Sequence, residues 1–242
     1  MRIDAVIFDW GGTLTPWHTV DVLDIWRTYA AAYDPQDVHE LARRLHAAEE
    51  AAWAAGRDTN TAATLDTVLR AAGVDVEHER HALALAEYER AWEPHTWTDP
   101  QALPLLQGLH ERGLRVGVLS NTIWPREYHE RVLARDGVLD LVDGAVFSSE
   151  LAHVKPHPEA FRAALDAVGV DDPAHAVFVG DRLFDDVHGA AAVGMRTVFV
   201  PHSEIPEHQR GHTEGTPDAV VAELGQVLDV VDRWLRPDVE AL

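Results

Sequence analysis

Four short polar stretches of this sequence carry side chains that could do chemistry, and each follows a run of apolar residues. In the first, FDWGGTLT, a bare carboxylate, Asp9, ends the apolar run, and Gly11 and Gly12 leave the next turn without side chains. A carboxylate in such a turn can act as a nucleophile or hold a cation. The others are VLSNT with Ser120 and Asn121, VKPHPEAF with Lys155, and FVGDRLFDD with Asp181, Asp185 and Asp186.

Each stretch alone has a simple structural explanation. An Asp before two glycines can form a turn, and KPHP can start a helix with proline in its first turn. Asp185 and Asp186 can be first-turn acids that the helix dipole favours. These explanations do not account for four polar groups in succession after four apolar runs. Lys155 adds to the argument, because it is the only lysine while the other nineteen basic residues are arginine, which indicates a position that favours an ammonium.

The elements that must position these residues alternate between strand and helix. Residues 3–8 form a short apolar run typical of a buried strand, and from residue 101 onward apolar runs alternate with helical spacing. Continuous apolar strands between helices predict a parallel sheet covered on both faces, an α/β fold with a three-layer Rossmann-like core. Ligands bind such folds outside the carboxyl ends of the strands, where the polar stretches fall.

Residues 16–95 have a different texture, rich in Ala, Leu, Glu and Arg with helical spacing and no clear strand. Gly56 and Gly73 are predicted to follow helix ends, and residues 59–61 to begin a helix. The sequence therefore predicts a helical domain at 16–95, inserted into a core domain formed by 1–15 and 96–242.

The composition excludes several classes of function. Forty-one acidic and twenty basic residues give a formal charge of −21, which repels phosphate backbones and anionic lipid, so we expect no nucleic-acid or membrane partner. The chain has no cysteine, which rules out disulfides and thiolate chemistry. With neither a signal peptide nor a long apolar run, the sequence predicts a cytoplasmic protein. The last apolar helix would also suit a homodimer.

The four stretches in this order resemble the motifs of the haloacid dehalogenase (HAD) superfamily, and the resemblance covers the whole chain. It implies a phosphohydrolase whose helical insert is a cap between the first two motifs. Asp9 would attack phosphorus and form an aspartyl-phosphate that water hydrolyses, and Lys155 would neutralise charge on both groups. The resemblance implies Mg²⁺ held by Asp9, the carbonyl of Gly11, Asp181 and Asp186, or Asp185 in place of Asp186.

The resemblance also implies a substrate site. Ser120 and the amide of Asn121 would bind phosphate oxygens, and Thr13 would steady the loop after the nucleophile. Trp17, close behind that loop, and Trp124, just after SNT, are candidates to line the substrate pocket.

The sequence departs from the family at Gly11, where most of its phosphatases carry an Asp that protonates the leaving group. General acid–base catalysis is commonly worth about 10²–10⁴ in rate, so the loss matters. The protein could be a phosphatase with another acid, for which His18 is a candidate, or with a leaving group that needs none, such as an acyl phosphate. A phosphonoacetaldehyde hydrolase also lacks this acid, but it needs a cap lysine, and residues 1–154 contain none.

A 2-haloacid dehalogenase lacks the same acid and needs no metal. Three carboxylates in the fourth stretch would repel one another without a cation, so this interpretation ranks below the phosphatase. A non-catalytic member that binds a phosphorylated ligand or a partner is the competing class, although it would not need Asp9. The sequence thus predicts a Mg²⁺-dependent hydrolase of a small phosphorylated metabolite.

Overall fold

The computed structural model describes residues 2–17, 19–201 and 212–236. Within them, six parallel strands form one sheet in the order β3-β2-β1-β4-β5-β6. The strands are β1 Ala5–Phe8, β2 Arg115–Ser120, β3 Gly144–Phe147, β4 Ala176–Gly180, β5 Arg196–Phe199 and β6 Ala219–Val220. The predicted α/β class and parallel sheet are confirmed.

Nine α-helices lie in the described part of the chain. They are α1 Val22–Tyr33, α2 Val38–Thr59, α3 Leu65–Ala71, α4 His81–Trp92, α5 Ala102–Glu111, α6 Arg126–Arg135, α7 Pro158–Ala167, α8 Gly189–Ala192 and α9 Val227–Leu235. A π-helical turn, Leu183–His188, precedes α8.

The sheet is covered on both faces because its strands are apolar on both faces. In β1, Val6 and Phe8 pack with buried residues of α5, α6 and α9, whereas Ala5 and Ile7 pack with those of α7 and α8. Alternate residues of a strand point to opposite faces, so one apolar strand contributes to two hydrophobic cores. This arrangement is the predicted three-layer core.

The first four helices share a hydrophobic core of their own. Its largest fully buried side chains are Trp26, Tyr29 and Tyr88. Asp21 caps α1 by accepting a hydrogen bond from the Asp24 N–H at 3.1 Å, and Thr64 and Thr67 form a capping box at the start of α3.

Two predicted helix boundaries shift. The helix predicted to begin at residues 59–61 begins at Leu65, with Thr64 as its N-cap. Helix α2 continues through Gly56 to Thr59 and ends where Asn60 adopts the left-handed conformation, with φ 54°. Asn tolerates this conformation better than most residues because its short side chain bonds locally. Gly73 does follow a helix end and has a positive φ of 83°, as predicted.

None of the described helices combines the length and the apolar character needed to span a bilayer.

Candidate active site

The carboxyl ends of three central strands carry three of the candidate residues. Asp9 follows β1, Ser120 is the last residue of β2, and Asp181 follows β4. Since β1 lies between β2 and β4, these residues emerge side by side at one edge of the sheet. Lys155 reaches the same edge from the loop between β3 and α7.

Lys155 joins two of the carboxylates. Its Nζ donates to Asp9 Oδ1 at 2.6 Å and to Asp186 Oδ1 at 2.7 Å. All three residues are at most 5% exposed, so water screens these charges little. Burial alone would lower the pKa of Lys155, but the charges of Asp186 and Asp9 outweigh it and raise that pKa. The ammonium therefore stays charged.

Opposing effects set the pKa of Asp9, the candidate nucleophile. Burial raises the pKa of Asp9, Lys155 lowers it, and Asp186 raises it again, to a net value of about 6. A carboxylate with this pKa is mostly ionised near neutral pH. The backbone of Asp9 is held in place because its N–H donates to the carbonyl of Val179 at 2.9 Å.

Asp181 is the carboxylate that has no hydrogen-bond partner among the described residues. Both of its oxygens are buried and accept no hydrogen bond from the described residues. Burial raises its pKa well above the usual value, and the charges of Asp9 and Asp186 add to the shift. A buried, unpaired carboxylate is costly unless a cation or proton compensates it.

A metal ion fits this requirement. Oxygen atoms of Asp9, Asp181 and Asp186 all lie within 4.8 Å of one another. Three carboxylates around one ammonium, which bonds Asp9 and Asp186, leave an excess of negative charge. Hard oxygen donors suit a divalent cation such as Mg²⁺. Asp186, 0% exposed, belongs to this group, whereas Asp185, its alternative, lies outside it.

Two glycines let the backbone approach these carboxylates. A Cβ on Gly12, whose φ is +100°, would stand 2.3 Å from Asp181 Oδ2, and one on Gly180 would stand 2.3 Å from Asp186. Gly11 differs, because a Cβ there would meet no atom within 4 Å. Its lack of a side chain is therefore not required by packing.

The loop after Asp9 folds back on itself. Trp10 O accepts hydrogen bonds from Thr13 N at 3.3 Å and Thr15 N at 2.8 Å, and Gly12 N donates to Thr15 O at 2.7 Å. Thr13 is fully buried within this turn. Trp17 is half-buried and packs against the hydrophobic core of α1–α4. His18 lies outside the described residues.

One of the two phosphate-binding candidates, Asn121, contacts Lys155 through its side chain. The side chain of Asn121 bonds the main chain of Lys155, with Oδ1 accepting from N at 2.8 Å and Nδ2 donating to O at 3.1 Å. The backbone N–H of Asn121 is then the group it offers to an anion. Ser120 is 1% exposed, and its Oγ makes one long contact, 3.5 Å, to the Asn121 carbonyl.

Ser148 follows β3 directly, and the sequence had given it no role beyond a possible strand end. Its Oγ accepts from Thr122 N at 2.8 Å and donates to Thr122 O at 3.0 Å, which fastens the loop after Ser120. The apolar run that ends at this serine was the available signal.

Glu49 was also missed. This α2 carboxylate is 7% exposed and accepts the indole N–H groups of Trp26 at 2.6 Å and Trp53 at 3.2 Å. It follows buried Leu45 and Leu41 at intervals of four residues, a spacing that places it on the apolar face of the helix. Its hydrogen bonds within the described part of the chain go to these two indoles and do not involve Asp9.

The helices α1–α4 contact the core next to the site. Loop residues between α2 and α3 pair with the segment before Lys155, since Val154 N donates to Asn60 O at 3.0 Å and Ala62 N to Ala152 O at 3.1 Å. Trp124, a pocket candidate, donates its indole N–H to Tyr88 OH at 3.2 Å. Trp124 therefore packs where the helices α1–α4 contact the core that surrounds the sheet.

Comparison with known proteins agrees with this geometry. The family described as haloacid dehalogenase-like hydrolase matches residues 3–194. The chain belongs to this hydrolase family. As a HAD-like hydrolase it is an enzyme, and several of its sequence relatives carry phosphatase names.

Three such relatives illustrate the similarity. A glyceraldehyde 3-phosphate phosphatase of Methanopyrus kandleri is 30% identical over 69% of this chain and 70% of its own length. One of Pyrococcus furiosus is 33% identical over 58% of this chain and 57% of its own. A phosphoserine phosphatase of Thermus thermophilus is 34% identical over 53% of this chain and 49% of its own. The chain thus spans only about half of the length of the last two.

Solved structures of the family share the fold. A HAD phosphatase from Thermococcus onnurineus superposes with a TM-score of 0.64 at 23% identity, covering 95% of this chain and 98% of that one. A 2-haloacid dehalogenase from Pseudomonas syringae gives a TM-score of 0.66 at 24% identity, with 96% and 100% covered. Both kinds of enzyme therefore use this architecture, and the fold does not choose between them.

Proposed function

We propose that this HAD-like hydrolase removes the phosphate group of a small phosphorylated metabolite, with Asp9 as nucleophile and Mg²⁺ as cofactor. The observation that carries the proposal is the buried group of Asp9, Asp181 and Asp186 around Lys155. Residues 16–95 would form the cap and residues 1–15 and 96–242 the core, and we propose a cytoplasmic location. Homodimer formation remains a prediction.

The reaction has two displacements. One carboxylate oxygen of Asp9 attacks phosphorus and the bond to the leaving oxygen breaks, which leaves an aspartyl-phosphate. Water then attacks the same phosphorus, the bond to Asp9 breaks, and inorganic phosphate departs while the carboxylate is regenerated. Lys155 lies between Asp9 and Asp186 and would reduce the repulsion between Asp9 and the incoming anion.

Asp9, the Gly11 carbonyl, Asp181 and Asp186 would hold the metal ion. Bound there, Mg²⁺ supplies positive charge that draws the two anions together. Ser120 and the Asn121 backbone N–H would bind phosphate oxygens, Thr13 would stabilise the loop after Asp9, and Trp17 would face the substrate from the cap side.

Gly11 limits the substrates that this site can process well. Without a proton donor at position 11, an alkoxide would leave from phosphorus unprotonated, which is costly. Leaving groups that are stable as anions, such as the carboxylate of an acyl phosphate, avoid this cost. We propose that the enzyme prefers such leaving groups, unless another residue supplies the proton.

One experiment tests the function. The protein is incubated with Mg²⁺ and a panel of phosphomonoesters and acyl phosphates, and inorganic phosphate is measured. We expect phosphate release that disappears in Asp9→Asn and on addition of EDTA. Binding of phosphate analogues without release from any substrate would instead favour the non-catalytic class.

A second candidate is a 2-haloacid dehalogenase, and the missing acid at Gly11 favours it. In that reaction Asp9 would attack carbon and displace halide, and no metal would be needed. The buried oxygens of Asp181, which have no partner among the described residues, argue against it. Chloride release from 2-chloropropionate in the presence of EDTA would support the dehalogenase and contradict the phosphatase.

A further inference from the structure

A second group of metal-ligand side chains lies on the loop that carries Lys155 and at the start of α7. His153, His157 and Glu159 each offer one ligand atom, and these atoms lie within 4.8 Å of one another. The imidazole rings of His153 and His157 stack with centroids 3.9 Å apart, and His153 Nε2 lies 3.6 Å from Glu159 Oε2.

We infer that His153, His157 and Glu159 form a second metal site, which binds a transition-metal ion such as Zn²⁺. The chemistry of the donors carries the inference. Two imidazoles and one carboxylate are a known set for Zn²⁺, with further positions left for water. The site at Asp9 offers only oxygens and suits Mg²⁺, so the two sites should select different ions.

The hydrogen bonding of the two imidazole Nδ1 atoms supports the same conclusion. The Nδ1 atom of His153 is buried and has no hydrogen-bond partner among the described residues. His157 Nδ1 accepts a hydrogen bond from Glu159 N at 3.3 Å, so that nitrogen is unprotonated and has the lone pair that a metal ligand needs. This contact caps α7, so a metal ion bound at Nδ1 would have to outweigh the loss of a helix cap.

The position of the group gives the bound ion a structural consequence. His153 and His157 flank Lys155 by two residues on either side, and His153 also forms an antiparallel bridge with Thr61 of the α2–α3 loop. A metal ion shared by His153, His157 and Glu159 would tie this loop to the first turn of α7. It would therefore restrict the segment that presents Lys155.

The inference does not depend on the phosphatase proposal, and its test is a binding measurement. The protein is first stripped of metal and then saturated with Mg²⁺, so that the oxygen site is filled, and Zn²⁺ is titrated into it by calorimetry. We expect one Zn²⁺ site that His153→Ala and His157→Ala each weaken by at least ~10-fold, in line with the usual cost of disturbing a metal site. Zn²⁺ should also raise the melting temperature, because it binds the folded state.

Two controls make the result decisive. His39→Ala removes an exposed histidine elsewhere and should leave Zn²⁺ binding unchanged, and so should Asp181→Asn in the oxygen site.

With Cu²⁺ as probe, electron paramagnetic resonance should show nitrogen couplings that His157→Ala reduces. Failure of the wild-type protein to bind Zn²⁺, or equal binding by the wild type and both alanine variants, would overturn the inference.

Discussion

The side chain of Asn121 is paired with the main chain of Lys155 through two hydrogen bonds, of 2.8 Å and 3.1 Å. The side chain of Asn121 thus bonds both the N–H and the C=O of Lys155, as a neighbouring strand would. One side chain therefore fixes the loop that carries the ammonium group. Asn121→Asp keeps the acceptor but turns a second oxygen toward the Lys155 carbonyl. We expect a loss of about 1–3 kcal/mol in the free energy of unfolding and a lower kcat. Chemical denaturation and phosphate-release assays measure both, and wild-type values for both would contradict this pairing.

The ammonium of Lys155 compensates buried carboxylates. Lys155→Met would leave Asp9 and Asp186 without it, and breaking a buried ion pair on one side commonly costs about 3–5 kcal/mol. We expect lower stability at neutral pH and no phosphate release, with part of the stability restored by Mg²⁺. Denaturation curves with and without Mg²⁺ check this. A variant as stable as the wild type in EDTA would show that the ammonium is dispensable for folding.

Gly12 and Gly11 are a matched pair for testing the approach of the loop to Asp181. Gly12→Ala would place a Cβ 2.3 Å from Asp181 Oδ2 at a φ of +100°, whereas Gly11→Ala meets no atom within 4 Å. We expect Gly12→Ala to raise the Mg²⁺ concentration needed for half-maximal activity, because it displaces a proposed metal ligand, and to destabilise the fold by about 1–2 kcal/mol. Gly11→Ala should change stability by less than ~0.5 kcal/mol. Mg²⁺ titrations and denaturation curves would refute the prediction if the two variants behaved alike.

Position 11 also tests the missing proton donor. Since there is room for a Cβ at Gly11, Gly11→Asp should supply an acid and raise turnover of alkyl phosphates by at least ~10-fold, within the usual range for general acid catalysis. Gly11→Asn, which has the same shape but no acidic proton, is the control. Rates are compared across leaving groups of different pKa. If both variants give the same rates as the wild type on alkyl phosphates, another group already donates the proton.

His129 makes stability depend on pH. Burial, aided by the charge of Arg126, lowers the pKa of His129 from 6.5 to about 3. In the unfolded chain this histidine takes up a proton below about pH 6.5, and the folded protein does not follow until about pH 3. Above pH 6.5 His129 is neutral in both states and costs no stability. Between pH 6.5 and about pH 3, protonation of the unfolded chain lowers the free energy of unfolding by about 1.4 kcal/mol per pH unit.

A variant without the imidazole isolates this contribution. His129→Phe keeps a flat ring against Phe147, on which His129 stacks with centroids 4.3 Å apart. Denaturation from pH 7 to pH 4 should show a smaller loss of stability in the variant than in the wild type. The carboxylates with raised pKa, such as Asp9, contribute in the opposite direction in both proteins and cancel in the comparison. Parallel pH profiles would mean that His129 is protonated in the folded protein.

The sequence by itself determined the fold class and most of the candidate site. Apolar runs that end in Asp9, Ser120 and Asp181 predicted parallel strands, and parallel strands bring their carboxyl ends to one edge. Local patterns therefore sufficed to gather these groups. The lone lysine was also a local signal, and Lys155 does meet Asp9 although 146 residues separate them.

Only the tertiary structure decided which neighbouring group makes each contact. Asp185 and Asp186 are equivalent in sequence, but the π-helical turn brings Asp186 to Lys155 and leaves Asp185 outside. The pairing of Asn121 with Lys155 and the approach of Gly12 to Asp181 depend on how separate loops pack at the sheet edge. Secondary-structure patterns fix where a side chain leaves the backbone, but the partner it meets is set by packing between segments distant in sequence.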